Sequence, residues 1–161
     1  MRIYTDASTR GKYSGIALVL TDSRDKEIYK KGTVIEERDN NTAELCAVLY
    51  ALDDIQYTDP KHVTIFTDSW YVISAVRNGA VRPKDKAIVK AIRKHMANIN
   101  SSLMWIKGHY RDGTVLSFYN KRADKMSKVV RRQYEKQMKK EKKTRKQQMF
   151  SNDITYSKKT R

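Results

Sequence analysis

One cysteine, two prolines and six glycines in 161 residues give this chain little covalent or conformational punctuation. A lone thiol closes no bridge, so a small disulfide-stapled fold is excluded. Cys46, between Leu45 and Ala47, reads as a small core side chain in a reducing setting, and a cytoplasmic location is expected, the host's if the chain is viral. No run approaches the roughly 18 apolar residues of a membrane span, and no apolar stretch follows the N-terminus as a signal peptide requires. No internal repeat or heptad calls for a partner helix, so a monomer without an obligate protein partner is expected. Acid is scarce as well: 18 Asp and Glu stand against 34 Lys and Arg, a net charge of +16. Such a chain is drawn to polyanions, nucleic acid first and anionic membrane second. The excess is uneven, because residues 129–161 hold 12 basic side chains against 3 acidic ones, yet the rest remains basic without them.

With 39% apolar residues the chain has room for one core, burying roughly two thirds of its unfolded surface. Three strands open it, at 2–7, 15–21 and 27–36, joined by connections short enough for antiparallel hairpins. From Asn41 the period changes: Leu45, Val48, Leu49, Leu52 and Ile55 recur at helical spacing. A strand over 62–67, short helices over 69–77 and 85–98, a fifth strand over 103–107 and a helix opened by Asn120 follow. The order predicts an α/β fold, a five-stranded mixed sheet with three antiparallel strands, then parallel ones, and helices on both faces. Residues 1–130 are expected to form the domain and 131–161 a basic C-terminal extension, helical and then flexible.

Against this scarcity of acid, Asp6, Glu44, Asp68 and Asp124 fall at element edges, two at strand ends and two in the first turns of helices. Singly each has an ordinary reading. Asp6 is a turn former, Asp68 an N-cap, Asn41 with Glu44 a capping box, and Asp124 a reply to a helix dipole or a partner for Lys121 or Arg122. Capping does not require all four to lie at one edge of one sheet. A shared hard cation does, since carboxylate oxygen is the ligand such ions select. Three histidines occur; His62 and His95 read as surface residues, whereas His109 sits on a loop between the fifth strand and the Asn120 helix, near the inferred acids. Asn40 and Asn41, at a helix N-terminus, can reach minor-groove base edges and 2′-hydroxyls.

Taken together, Asp6 closing the first strand, Asn-Asn-Thr-Ala-Glu-Leu at 40–45, Thr-Asp-Ser at 67–69, Trp-Ile-Lys-Gly-His at 105–109 and Asn-Lys-Arg-Ala-Asp at 120–124 resemble ribonuclease H type 1 over residues 1 to about 130. The resemblance implies a ribonuclease H-like fold and an endonuclease that hydrolyses the RNA strand of RNA·DNA hybrids, leaving 5′-phosphate products. It implies two Mg²⁺ ions, replaceable by Mn²⁺, roughly 4 Å apart, one activating water and the other stabilising the leaving 3′ oxygen. Asp6 would bridge both ions, Glu44 and Asp68 would ligate one and Asp124 the other, with His109 assisting proton transfer or product release. Asn40, Asn41, Ser8, Ser69, Asn120 and Lys107 would touch the hybrid.

Departures from the family pattern bear on substrate grip. Ala7 follows Asp6 where a glycine is usual, Trp70 replaces a glutamine that touches the hybrid, and Asp39 replaces a small hydroxyl that supports a DNA phosphate. The stretch from Asn78 to Lys86 is too short for the extra basic helix of some members. Two rival functions share part of this pattern. A DNA junction resolvase or transposase-like nuclease would share the acids but not the 40–44 and 105–109 segments, and a non-catalytic nucleic-acid-binding module has no need of all four acids.

Overall fold

In the computed structural model, which describes residues 1–55, 62–108 and 113–157, five strands form one sheet in the order β3-β2-β1-β4-β5. The strands are β1 (Arg2–Arg10), β2 (Tyr13–Thr21), β3 (Glu27–Ile35), β4 (Val63–Thr67) and β5 (Ser101–Trp105), and the helices are α1 (Asn40–Ile55), α2 (Trp70–Ile73), α3 (Lys86–Asn98) and α4 (Val115–Ser157). Two compact units emerge, residues 1–131 and 132–161. Among the described residues no helix is long and apolar enough to cross a membrane.

Alternation along β1 decides which helix covers which face. Ile3 joins Leu18, Leu20 and Ile65 beneath α1 and α3 in the larger core, while Tyr4 joins Val19, Phe66, Ile106, Tyr119 and Ala123 in the smaller core beneath α4. At about 25 cal/mol per Å² of apolar area removed from water, these two layers supply the main folding drive. Beside Ala7 and Ile16 lie Ala43 and Ala47 of α1, all buried. Their lack of bulk lets the helix lie close to the strand.

The strands lie as their patterning predicts, but several boundaries move. β1 does not end at Asp6; it continues to Arg10 as a hairpin arm whose Asp6 faces Ala17 of β2. What ends is its parallel pairing with β4, at Tyr4 opposite Phe66, so Asp6 lies just past the fork where the two strands part. β5 spans 101–105 and not 103–107, because its parallel ladder matches the five residues of β4, Val63 opposite Ser101 through Thr67 opposite Trp105. The last helix starts at Val115, where the Thr114 hydroxyl accepts the Ser117 N–H at 3.2 Å. Asp124 is therefore well inside α4 and not in its first turn, and Asn120 is no cap but a buried interior residue.

Candidate active site

Each acid is delivered by a local device. Past the fork, the Thr5 hydroxyl donates to the Phe66 carbonyl at 3.2 Å and the Ile106 N–H to the Thr67 carbonyl at 3.0 Å, pinning the end of β4. Asp68 sits in the bend that follows. Ser69, not Asp68, caps α2, its hydroxyl accepting the Val72 N–H at 3.4 Å. The indole N–H of Trp105 donates to the Asp68 carbonyl at 3.1 Å. At α1 the cap is Asp39, whose carboxylate accepts the Thr42 N–H at 3.0 Å, so Asn40 and Asn41 remain exposed at the helix start. Glu44 then lies one turn in, on the buried side.

Asp6, Glu44 and Asp68 each bring a carboxylate oxygen within 4.8 Å of the other two. Asp6 and Glu44 are each only 5% exposed. Burial, reinforced by Asp68 and Asp124, pushes the Asp6 carboxyl up to about 7 against the pull of a hydrogen bond from Ser127. Burial and the adjacent Asp6 and Asp68 charges hold Glu44 well above the usual carboxylate range, although the Ala7 N–H donates to it. One buried oxygen of Glu44, Oε2, has no hydrogen-bond partner. Orphaned buried acceptors among mutually repelling carboxylates are what a divalent cation satisfies, so these residues fit such an ion.

Asp124 stands apart from the three. Lys128, one turn on, holds both its oxygens, at 2.6 and 2.8 Å. It reaches the cluster through Ser127, whose hydroxyl lies 2.6 Å from Asp6 Oδ2 and 2.9 Å from the Asp124 carbonyl. One hydroxyl proton serves one acceptor fully at a time. With Asp6 ionised the hydroxyl donates to it; with Asp6 protonated the carboxyl donates to Ser127 Oγ, and the hydroxyl turns to Asp124.

The remaining sequence-predicted residues fare differently. Asn120, 3% exposed, donates its amide to Asp68 Oδ2 at 3.1 Å, so it orients an acid. Ser8 receives the Arg131 Nε–H at 3.2 Å, which ties β1 to α4. Ser69 is the α2 cap just described, and Lys107 is exposed. His109 lies outside the described residues. Ser127, Lys128 and Gly108 were not foreseen as site residues. The first two share the Asp124 face of α4 at spacings of three and four, a periodicity readable once Asp124 is suspected. At Gly108 a Cβ would come within 2.6 Å of Asp68 Oδ2, so any side chain there displaces the acid.

The two departures at the rim are resolved. Asp39 does not present bare charge, since Arg82 grips both its oxygens at 2.8 and 2.9 Å and Lys84 lies 3.4 Å away. Trp70 is 64% exposed and meets Trp105, 43% exposed, edge to face at 5.8 Å between ring centres. This aromatic pair borders Asp68.

Comparison with known proteins places these features. The sequence profile of the RNase H family matches residues 1–132. Among solved structures, RNase H1 of the halophilic archaeon Halobacterium salinarum superposes with a TM-score of 0.68 at 18% identity, covering 80% of this chain and 95% of that one. LC11-RNase H1 in complex with an RNA/DNA hybrid gives 0.68 at 25% identity over 80% of this chain and 94% of that one. A second structure of LC11-RNase H1, isolated from compost by a metagenomic approach, gives 0.67 at 26%, with 80% and 93% covered. No curated protein matches.

Proposed function

This chain belongs to the RNase H family, and from that premise we propose that it hydrolyses the RNA strand of RNA·DNA hybrids at the Asp6, Glu44 and Asp68 cluster. The observation that carries the reading is the convergence of these three acids, from three separate elements, at the fork between β1 and β4. The family uses divalent metal, and the donor set suits Mg²⁺, with Mn²⁺ as substitute. Asp6, Glu44 and Asp68 would hold one ion, and Asp124, whose oxygens Lys128 now holds, would have to leave that lysine to join Asp6 at a second. When bound, such a pair supplies an activated water and charge stabilisation at the leaving 3′ oxygen, giving 5′-phosphate products.

The protein's own groups do the positioning. Asn120 orients Asp68 through its amide, and Ser127 orients Asp6 through its hydroxyl. Asn40 and Asn41, exposed at the start of α1, are free to reach a minor groove and its 2′-hydroxyls, the groups that distinguish RNA from DNA. By the family resemblance Lys107 would contact phosphate and His109 would accept or return a proton. LC11-RNase H1, 25% identical to this chain, was solved with an RNA/DNA hybrid, which supports the same substrate class here.

Labelled RNA·DNA, RNA·RNA and DNA·DNA duplexes incubated with Mg²⁺, Mn²⁺ or chelator test this directly. The expected result is cleavage of the RNA strand of the hybrid alone, in either metal and not in chelator. Equal cutting of all three duplexes would refute the hybrid specificity, and binding without cleavage would favour the non-catalytic module.

Residues 132–161 supply the second grip. From position 134 onward ten basic residues face three acidic ones, a polyanion-binding composition. Arg131 is only 6% exposed and Ser127 fully buried, so the domain's share of α4 extends at least to Arg131. A chain ending at Gln133 therefore keeps its fold. It is expected to show a higher apparent KM for hybrid and a nearly unchanged kcat. Its log-affinity against log-salt slope becomes shallower by roughly 0.9 for each phosphate the extension neutralises. An unaltered slope in a salt titration would remove the extension from the binding mode.

A further inference from the structure

Three acids from three separate elements converge at the fork, and something must hold their carriers at that spacing. Glu44 rides on α1 and Asp68 on the bend before α2, two segments separated by β4. A single cluster built around the buried Asp85 clamps both. Asp85, with no exposed surface, accepts from the Thr42 hydroxyl at 2.7 Å, the Tyr71 hydroxyl at 2.6 Å and Arg82 Nε at 2.7 Å. Thr42 is two residues before Glu44, and Tyr71 is three residues after Asp68. Arg82 completes the unit, its fork closing on the Asp39 cap of α1 while its Nη2 also donates to Thr42 Oγ1 at 3.0 Å and its Nε to the Tyr71 hydroxyl at 3.1 Å. The guanidinium lies over the Tyr71 ring, 4.8 Å from its centre.

The charges balance inside the cluster, Asp39 and Asp85 against Arg82 and Lys84. Only Asp85 of the charged members is buried, the Arg82 and Asp39 side chains being 34% and 31% exposed, and such a network is weak evidence for stability. What it does provide is a fixed geometry with every partner specified, two or three residues from two acids that must meet. We propose that Asp85, Arg82 and Tyr71 are positioning residues for the metal site, holding Glu44 and Asp68 at ligand spacing before any ion arrives. The inference rests on the reading that Asp6, Glu44 and Asp68 bind a divalent cation. It also gives Asp39 a role, since its carboxylate occupies the Arg82 fork as a built-in anion.

Isothermal titration of Mn²⁺ and Mg²⁺ into the metal-free full chain, below its unfolding transition, reads the effect without any turnover. Arg82→Lys, which keeps charge but loses the fork, and Asp85→Asn are expected to weaken metal affinity about tenfold. Tyr71→Phe removes one hydroxyl, keeps the ring and weakens it less. Raising the metal concentration restores hydrolysis in all three, and binding of hybrid in chelator stays at the wild-type level. Should Asp85→Asn fail to fold, Tyr71→Phe and Arg82→Lys decide. Metal affinities equal to wild type in the folded variants, whatever their melting temperatures, would overturn the proposal. A wild-type chain that binds no divalent ion would instead overturn the metal-site reading beneath it.

Discussion

Asp6→Asn is expected to slow hydrolysis about a thousandfold and, in chelator at pH 8, to melt at a higher temperature than the wild type. The two effects have one origin. Asp6 is 5% exposed among Glu44, Asp68 and Asp124, and its carboxyl titrates near 7. The folded, metal-free protein therefore binds this proton more tightly than the unfolded chain does. Stability contributed by a raised carboxyl is fully present below the ordinary carboxylate range and declines as pH rises from about 4 to about 7. Glu44, raised in the same sense, carries the decline further. By pH 8 the wild type has lost a few kcal/mol that an amide never forfeits.

At pH 4 the two proteins are expected to melt alike. Mg²⁺ reverses the order at pH 8, since a ligand that binds only the folded state stabilises it, and the variant has lost a carboxylate oxygen and its charge from the donor set. Losing several kcal/mol of transition-state stabilisation corresponds to a fall in kcat of about a thousandfold. Scanning calorimetry at pH 4, 6 and 8, with and without Mg²⁺, checks the pattern. A wild-type melting temperature that rises with pH in chelator would contradict it.

Much of this arrangement is legible in the sequence. Strand alternation and the change to helical spacing at Asn41 placed all five strands and α1, because a two-residue or 3.6-residue period survives in composition. The three clustered acids were legible for a different reason: each lies within a few residues of a recognisable element edge. Where edges were misread, roles were misread too. Asn120 looks like a helix opener but lies buried inside α4, turned toward Asp68, because the helix is started by the less conspicuous Thr114. Asp39, an apparent obstacle to phosphate, is the α1 cap and the partner of Arg82, 43 residues away. No local pattern reveals such a pairing, since it depends on where the 82–85 turn folds back. The same holds for Ser127 and Asp6, brought to hydrogen-bonding distance from opposite ends of the domain.

Gly15→Ala should be the most damaging single methyl group in the domain. Gly15 lies on β2 opposite Ser8, directly beneath α4, and a Cβ built there would lie 2.1 Å from the Ser127 carbonyl oxygen and 3.0 Å from the Arg131 Cβ. The first obstacle is helix backbone, which cannot turn aside as a flexible side chain would. The helix must lift, and Gly32 on β3, whose own Cβ would meet Val130 and Met126 at 3.1 and 3.4 Å, indicates how closely α4 lies along this face. Overpacking of this kind costs about 3 kcal/mol, which lowers the melting temperature by roughly 10 °C in a domain of this size. Lifting α4 also draws Ser127 from Asp6 and Arg131 from Ser8. Activity is therefore expected to fall further than the unfolded fraction explains, with the loss in kcat and not in the hybrid's KM. Thermal melts alongside kinetics at 15 °C, where the variant is folded, separate the two contributions. A variant whose kcat returns to the wild-type value once it is fully folded would show that the position of α4 does not govern the chemistry.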